Sequence, residues 1–448
     1  MTMQAKTFRI GTGAGFSADR LDPAVDLARN GGLDAMIIEC LGERTLAFAH
    51  RDRIADPARG YNPLLETRMR ALLPVCVEAG TTIITNMGAA NVRAAADRIL
   101  DIAREAGLRN IKIACVEGDD VSALIRLDMP MMDEPGILGD VGLPMVGANA
   151  YLGANALLPA LQAGAHVVIG GRIADPALAV APLAHHFGWT LDDWQRLGAG
   201  TLVGHLLECG MQVTGGYFAD PGVKDVPNLA YCGFPLAEVA ADGSAVITKL
   251  ETAGGCVTPA TIKEQLLYEV HDPHRYLTPD VTADFSEVRI AQGGENRVGI
   301  SGASGSERPA GLKVTVGFEG GFLAEGEISY AGPNAQGRAR LAAEIVAERM
   351  RAVHGWHEPL RVDLVGLSAL FATAGPPPTD TQDVRLRAAL RSRSHDIAKL
   401  LLWEVESLLC CGPAGGGGFR GSITPSVVTR SVLIDRERLT PSLRMFTT

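Results

Sequence analysis

No CxxC pair occurs among the eight cysteines of this 448-residue chain, which are Cys40, Cys76, Cys115, Cys209, Cys232, Cys256, Cys410 and Cys411. Zinc ribbons and thioredoxin-type redox centres need that spacing, so the sequence argues against both. Several of the thiols lie inside apolar runs (IIEC, IKIAC, LLPVC), where cysteine packs as a small hydrophobe. A reducing compartment fits that usage better than a disulfide framework. Excess positive charge is also lacking. The formal net charge of −10 argues against nucleic acid or an anionic membrane as partner. Local arginines can still hold an anionic substrate. No uninterrupted apolar run reaches the roughly 20 residues of a membrane span. The opening MTMQAKTFRIGTG has no apolar export core, so a cytoplasmic location is expected. No repeat of fixed period is present, which argues against a solenoid.

What the chain does have is ordinary globular composition, 47% hydrophobic and 21% charged, and a length that suggests two domains. Its first part alternates short apolar strands with helices closed by glycine. Phe8 to Gly11, Ala35 to Ile38, Thr82 to Thr85, Ile111 to Ala114, Leu143 to Val146 and His166 to Ile169 read as strands. Helices are expected at Asp22 to Asn30, Leu64 to Glu78 and Val92 to Ala106. Continuous apolar strands between helices mark a parallel sheet with helices on both faces. From residue 216 onward the runs alternate in polarity, which suggests a smaller α+β domain with a mixed sheet and helices at Pro259 to Val270, Ala335 to Val353 and Ile397 to Leu409. The boundary is placed in the glycine-rich TGGYFADPGVKD, giving domains 1–215 and 216–448. A β/α barrel with insertions is the alternative.

The polar residues cluster where strands stop, which is where open α/β sheets carry their active groups. Asn86, Asn149, Tyr151 and Arg172 are candidate substrate-binding residues. Arg172 follows Gly170-Gly171 and can grip a carboxylate with two hydrogen bonds. Glu117 follows the fourth strand and is a candidate general base. Asp175, directly before Pro176, reads as a helix N-cap, and Asp119 or Asp120 as the cap of a following turn. His205, Glu208 and Cys209 stand at i, i+3 and i+4, on one helical face. His205 and Glu208 are candidate catalytic acid/base groups, and metal binding by them is the lesser reading. Gly254 and Gly255 can offer backbone donors to an oxyanion. The run Cys410-Cys411-Gly-Pro-Ala-Gly-Gly-Gly-Gly with Arg420 is a candidate anion or acyl-carrier contact. Gly11-Thr-Gly-Ala-Gly15 misses the GxGxxG spacing of a dinucleotide site and reads as a structural turn. No metal site and no cofactor is assigned.

Taken together, IGTGAGFSADR, ITNMGAAN, ANAYLGANALLPALQAGAHVVIGGRIADPAL, GHLLECGMQVTGG, GGCVTPATIKEQLLYEVHDPHRYLTPDV and GPAGGGG resemble the AtuA family of acyclic terpene utilisation proteins. The likeness covers most of the chain. It implies catabolism of branched acyclic terpenoids, through CoA thioesters or free carboxylates. Some relatives carry a further C-terminal module or meet it as a separate small subunit, so a small partner and homo-oligomerisation are expected. The leading functional expectation is a lyase, a hydratase or a C–C cleaving enzyme, acting on a branched carboxylate or its CoA thioester. A non-catalytic scaffold of a catabolic complex and a metal-dependent hydrolase are the alternatives.

Overall fold

The computed structural model describes residues 7–370 and 381–448. It divides into two compact units, residues 1–317 with 429–448, and residues 318–428. In chain order the first unit opens β1 (Phe8–Ala14), α1 (Asp22–Asn30), β2 (Ala35–Ile38), α2 (Glu43–Ala55), α3 (Leu65–Ala79), β3 (Thr82–Thr85), α4 (Val92–Glu105) and β4 (Lys112–Glu117). It continues with β5 (Met145–Ala150), α5 (Ala154–Gln162), β6 (Val167–Gly170), α6 (Ala177–Phe187), α7 (Trp194–Glu208), β7 (Pro235–Val239), β8 (Ala245–Lys249) and α8 (Pro259–Leu267). Then come β9 (Tyr276–Leu277), β10 (Thr282–Asp284), β11 (Arg289–Gly294), β12 (Arg297–Ser301), β13 (Ser304–Ser306) and β14 (Gly311–Ala331), whose later part belongs to the second unit. That unit holds α9 (Ala335–Ala352), β15 (Arg361–Val365), β16 (Asp383–Ser392), α10 (His395–Cys411) and the start of β17 (Gly417–Asp435); β18 (Ser442–Thr447) returns to the first.

A mixed sheet of ten strands, in the order β11-β12-β8-β7-β1-β2-β3-β6-β4-β18, forms the frame of the first unit. Its central five strands, β1, β2, β3, β6 and β4, are parallel. Alternate side chains enter two separate cores. Ile37, Ile84, Val116 and Val168 meet α5, α6 and α7 through Leu157, Leu178 and Val203. Met36, Ile83, Ile113 and Ile169 meet α1, α3 and α4 through Leu27, Leu72 and Ile99. Strands buried on both faces need apolar residues at every position, which is why they read as continuous apolar runs.

Three features differ from expectation. The fifth apolar run forms β5, but it leaves the central sheet and pairs with β14. The segment Glu43–Ala55 is helical, although no clear amphipathic stripe marks it. The expected division at residues 215 and 216 falls inside the first unit, because β7, β8, β12 and β11 extend the parallel sheet in antiparallel fashion instead of starting a new one. In the second unit α9 and α10 cover one face of β14, β15 and β16, around Ile328, Val346, Leu386 and Leu401.

Candidate active site

The polar residues that follow β2, β3, β4 and β6 form one buried network. Asn86, directly after β3, donates from Nδ2 to Glu39 Oε1 at 3.0 Å and accepts from the Cys40 amide at 2.9 Å. Glu39, directly after β2, also accepts from the Leu41 amide at 2.7 Å. Asp119, just beyond β4, accepts through Oδ2 from Asn149 Nδ2 and from the Arg172 amide, both at 2.7 Å. A Cβ on Gly171 would lie 2.2 Å from that same oxygen, so only glycine lets the carboxylate approach here. Asn149 is thereby oriented with its carbonyl toward His50 of α2, whose Nε2 donates to it.

Arg172 follows β6 and is buried at 2% exposure. Its Nη1 donates to the Leu41 carbonyl and to Asp175 Oδ1 (2.9 Å), and its guanidinium lies 4.0 Å from the centre of the Tyr151 ring. The expected N-cap role of Asp175 is corrected by this geometry. Pro176 occupies the cap position of α6, without a side-chain cap bond, and the Asp175 carboxylate turns to Arg172. Asp120 does cap a turn, accepting from the Ser122 amide and hydroxyl.

Above the network lies a pocket of about 220 Å³. Tyr151, Asp175, Tyr276 and Lys313 supply its polar groups. The Asp175 and Lys313 side chains keep 33% and 39% of their surface exposed. Lys313 arrives by the pairing of β14 with β5, through the bond from the Tyr151 amide to the Lys313 carbonyl. Its Nζ lies 3.1 Å from Glu43 Oε1, which also accepts from the Tyr151 hydroxyl. Met132, Leu277, Leu312 and Leu433 supply apolar wall.

His205 and Glu208, in the last turn of α7, sit behind this pocket. His205 Nδ1 is 2.8 Å from Glu208 Oε1, and Nε2 is 3.2 Å from the Leu266 carbonyl of α8. The imidazole packs against Tyr276 and Phe285, with ring centres 5.3 and 5.9 Å away. Glu208 Oε2 and Arg172 Nε are buried without a hydrogen-bond partner among the described residues.

The charges are strongly perturbed, as they are around reactive sites. Burial, then the Asp175 charge, pushes the Glu39 carboxyl up to about 8 against the pull of Arg172. Burial raises Glu208 to about 7, opposed by His205 and assisted by Asp175. Burial alone would lower His205, but the Glu208 carboxylate outweighs it and raises the imidazole. Glu43 goes the other way: burial is outweighed by Arg172, the Tyr151 hydroxyl and Lys313, which bring it down to about 2. Burial also opposes the charge of Arg172, yet Asp175, Tyr151, Glu43 and Glu39 hold it protonated.

Of Asn86, Asn149, Tyr151, Arg172, His205 and Glu208, only Tyr151 lines the pocket. Asn86, Asn149 and Arg172 are buried behind it, at 0%, 1% and 2% exposure, with their polar groups engaged in the network. Glu117 ends β4 opposite Ser442 of β18, and Asp119, two residues on, supplies the carboxylate that joins the network. The Gly254 and Gly255 amides donate to the Tyr231 and Pro227 carbonyls, both at 2.8 Å, and so serve the protein's own turns. Arg420 is exposed on β17, in the second unit. Residue reading missed Glu43, His50, Tyr276 and Lys313. Glu39 and Asp119 carried the strand-end signal, whereas Lys313 depends on a pairing between segments far apart in the chain. Among the described residues, no group of three or more His, Cys, Asp or Glu side chains is arranged to hold a metal ion. None of the helices is long and apolar enough to cross a membrane, again among the described residues.

Fold and site define an α/β protein with a small strand-end pocket that one carboxylate, Asp175, and one cation, Lys313, line, backed by a buried polar network. The chain belongs to the AtuA family: the family model described as acyclic terpene utilisation family protein AtuA matches residues 8–445. That membership ties it to acyclic terpene utilisation. No curated protein matches the chain. Among solved structures, the homoserine dehydrogenase of S. aureus is 10% identical over 89% of this chain and 82% of that one, at a TM-score of 0.13. A likeness that faint says nothing about fold or chemistry.

Proposed function

We propose that the protein is a lyase of acyclic terpene catabolism, adding or removing water, or cleaving a C–C bond, on a branched carboxylate or its CoA thioester. One observation carries this reading. Asp175, a partly exposed carboxylate, shares its pocket with the Lys313 ammonium and the Tyr151 ring, while two further carboxyls, Glu39 and Glu208, lie behind it near neutrality. Glu43, held down at about 2, stands apart from Glu39 and Glu208, raised to about 8 and about 7, and carboxyls pushed apart in this way are how one site runs acid and base steps at the same pH.

In dehydration, Asp175 takes the proton next to the carboxyl carbon. The electron pair forms the double bond, and the hydroxyl leaves as water with the proton that Asp175 has just taken. Lys313, and the Tyr151 hydroxyl once it turns from Glu43, hold the charge that gathers on the carboxyl oxygen. In C–C cleavage the same base takes the hydroxyl proton, the carbinol becomes a carbonyl as the C–C bond breaks, and the enolate held by the same donors takes that proton back at carbon. Arg172, Asn149 and Asn86 position these groups and do not touch substrate. A polar hollow of this kind is not what a pure scaffold requires.

The test is proton exchange. The purified protein is incubated in D2O with branched 3-hydroxy and 2-enoic acids and their CoA thioesters, and NMR follows deuterium at the carbon beside the carboxyl group. Exchange or turnover that falls about 10²–10⁴-fold in Asp175→Asn is expected. No exchange on any of these compounds, or exchange indifferent to Asp175→Asn, would overturn the reading.

A further inference from the structure

Half-exposed large hydrophobic residues are ordinary when scattered and informative when they converge. Met132, Leu277 and Leu433 are 47%, 50% and 52% exposed, and all three border the pocket that holds Asp175 and Lys313. They come from separate parts of the chain: the loop between β4 and β5, strand β9, and strand β17. Met132 is also held firmly. Its amide donates to the Ser431 carbonyl at 2.8 Å, Asp133 accepts from the Ser431 amide at 2.9 Å, and Glu134 pairs with Arg430 at 2.6 Å. The adjoining turn is closed by the bond from the Met131 amide to the Gly136 carbonyl and by the bridge between Pro130 and Ile137. Three consecutive residues, 132 to 134, are thus fastened to two residues of β17. Leu433 stands two places beyond Ser431, on the same strand.

We propose that Met132, with Leu277 and Leu433, is the wall that measures the hydrocarbon tail of the ligand, and that Met132 sets the length accepted. This rests on the reading that the pocket takes a carboxylate, with its head at Lys313. A pocket of about 220 Å³ falls below the roughly 300–1,000 Å³ of sites that enclose drug-sized ligands. It encloses a short acyl group and excludes a long chain. The nucleotide portion of a CoA thioester would extend beyond it. Apolar surface brought by three separate chain segments favours a tail that is broad as well as short, so a methyl-branched acid fills it better than a straight one of equal length.

The probes are the free acids themselves. Straight and 3-methyl-branched monocarboxylates of increasing length are titrated by calorimetry into the whole protein. Affinity is expected to rise about fourfold per methylene and then to stop rising at a short length. Met132→Ala moves that limit to longer acids and Met132→Trp to shorter ones, while Lys313→Gln weakens all acids alike. Met132 is half exposed, and Met132→Leu, which conserves volume, controls for folding by retaining the wild-type limit and Tm. Affinity independent of tail length, a limit unmoved in Met132→Ala, or no binding of any acid would overturn the proposal. Tail-dependent binding with a limit that moves in Met132→Ala, but without proton exchange, would uphold the wall and remove the lyase reading. Turnover with a length preference unmoved by Met132→Ala would do the reverse.

Discussion

His205 Nδ1 and Glu208 Oε1 stand 2.8 Å apart, close enough to share a proton. The other ring nitrogen faces the Leu266 carbonyl at 3.2 Å, which can only accept, so Nε2 carries a hydrogen throughout. The bond between Nδ1 and Oε1 then needs a second proton, carried by the ring or by the carboxyl. Where burial by itself would discharge the ring, the carboxylate raises its proton affinity. A group whose folded value is raised contributes stability that is complete below its unfolded value and lost as pH rises through the folded one. In Glu208→Gln that contribution disappears. The unfolding free energy should then vary less above about pH 6.5, and the His205 resonance should titrate below its wild-type position. NMR titration and denaturant melts across pH check both. A His205 resonance unmoved by the substitution would show that the contact does not set its proton affinity.

Glu39 makes the same argument with a clearer replacement. Burial first, and Asp175 second, raise its carboxyl to about 8. The stability linked to it is complete below the ordinary carboxylate range and falls as pH climbs from there to about 8. A glutamine side chain at this position would imitate the protonated acid and keep an oxygen for the Leu41 amide and Asn86 Nδ2. Glu39→Gln should therefore gain Tm over the wild type at about pH 9 and lose that advantage near pH 4. At about 1.4 kcal/mol per pKa unit the gain is on the order of a few kcal/mol. Equal melting differences at both ends of the range would contradict the burial argument.

Strands and their trailing residues were the legible part of this molecule. β2 and β3 begin and end where their apolar runs do, and Asn86 and Arg172 enter one network because strand ends in a parallel sheet point the same way. Lys313 could not be read in this way. It reaches Tyr151 only through the pairing of β5 with β14, and nothing local in either strand specifies its partner. Glu43 and His50 lie on α2, a helix without a sharp apolar stripe. Asp175 was misread because Asp-Pro is a strong helix-start signal, whereas a buried guanidinium three residues earlier competes for the same carboxylate and wins. Local propensity spoke for the cap, and tertiary charge decided.

The turn after β1 is a steric fit. A Cβ on Gly15 would lie 2.3 Å from the Cys209 carbonyl carbon and 2.5 Å from the Gly210 nitrogen. The turn cannot yield easily, because the buried Arg68 holds the Ser17 and Asp19 carbonyls at 3.1 and 2.6 Å and the Gly15 amide donates to Asp19 Oδ2 at 2.9 Å. Gly15→Ala should cost about 1–3 kcal/mol, the range of an overpacked core. It should also disturb the end of α7, where Glu208 sits one residue before Cys209. A melting curve together with the His205 titration checks this. An unchanged Tm would mean that the turn moves more freely than its bonds suggest.

Lys313 and Tyr151 share one acceptor, Glu43 Oε1, yet their loss should be felt differently. Lys313 presents a partly exposed ammonium to the pocket, and a charge-assisted hydrogen bond contributes about 1.5–3 kcal/mol. Lys313→Gln should therefore raise KM about 10–150-fold and lower kcat as well, because the ammonium faces both the bound carboxylate and the charge that gathers on it. The Tyr151 ring stays under the Arg172 guanidinium in Tyr151→Phe, so folding is little affected. Only the hydroxyl is lost. If it steadies the oxygen charge that develops during reaction, kcat falls while KM hardly moves. Glu43, deprived of one donor, should titrate above its present value of about 2. Steady-state kinetics on both variants, beside calorimetry with the same acids, separates the two roles. A fall in affinity without a fall in kcat for Tyr151→Phe would make the tyrosine a second carboxylate ligand and leave the developing charge to Lys313.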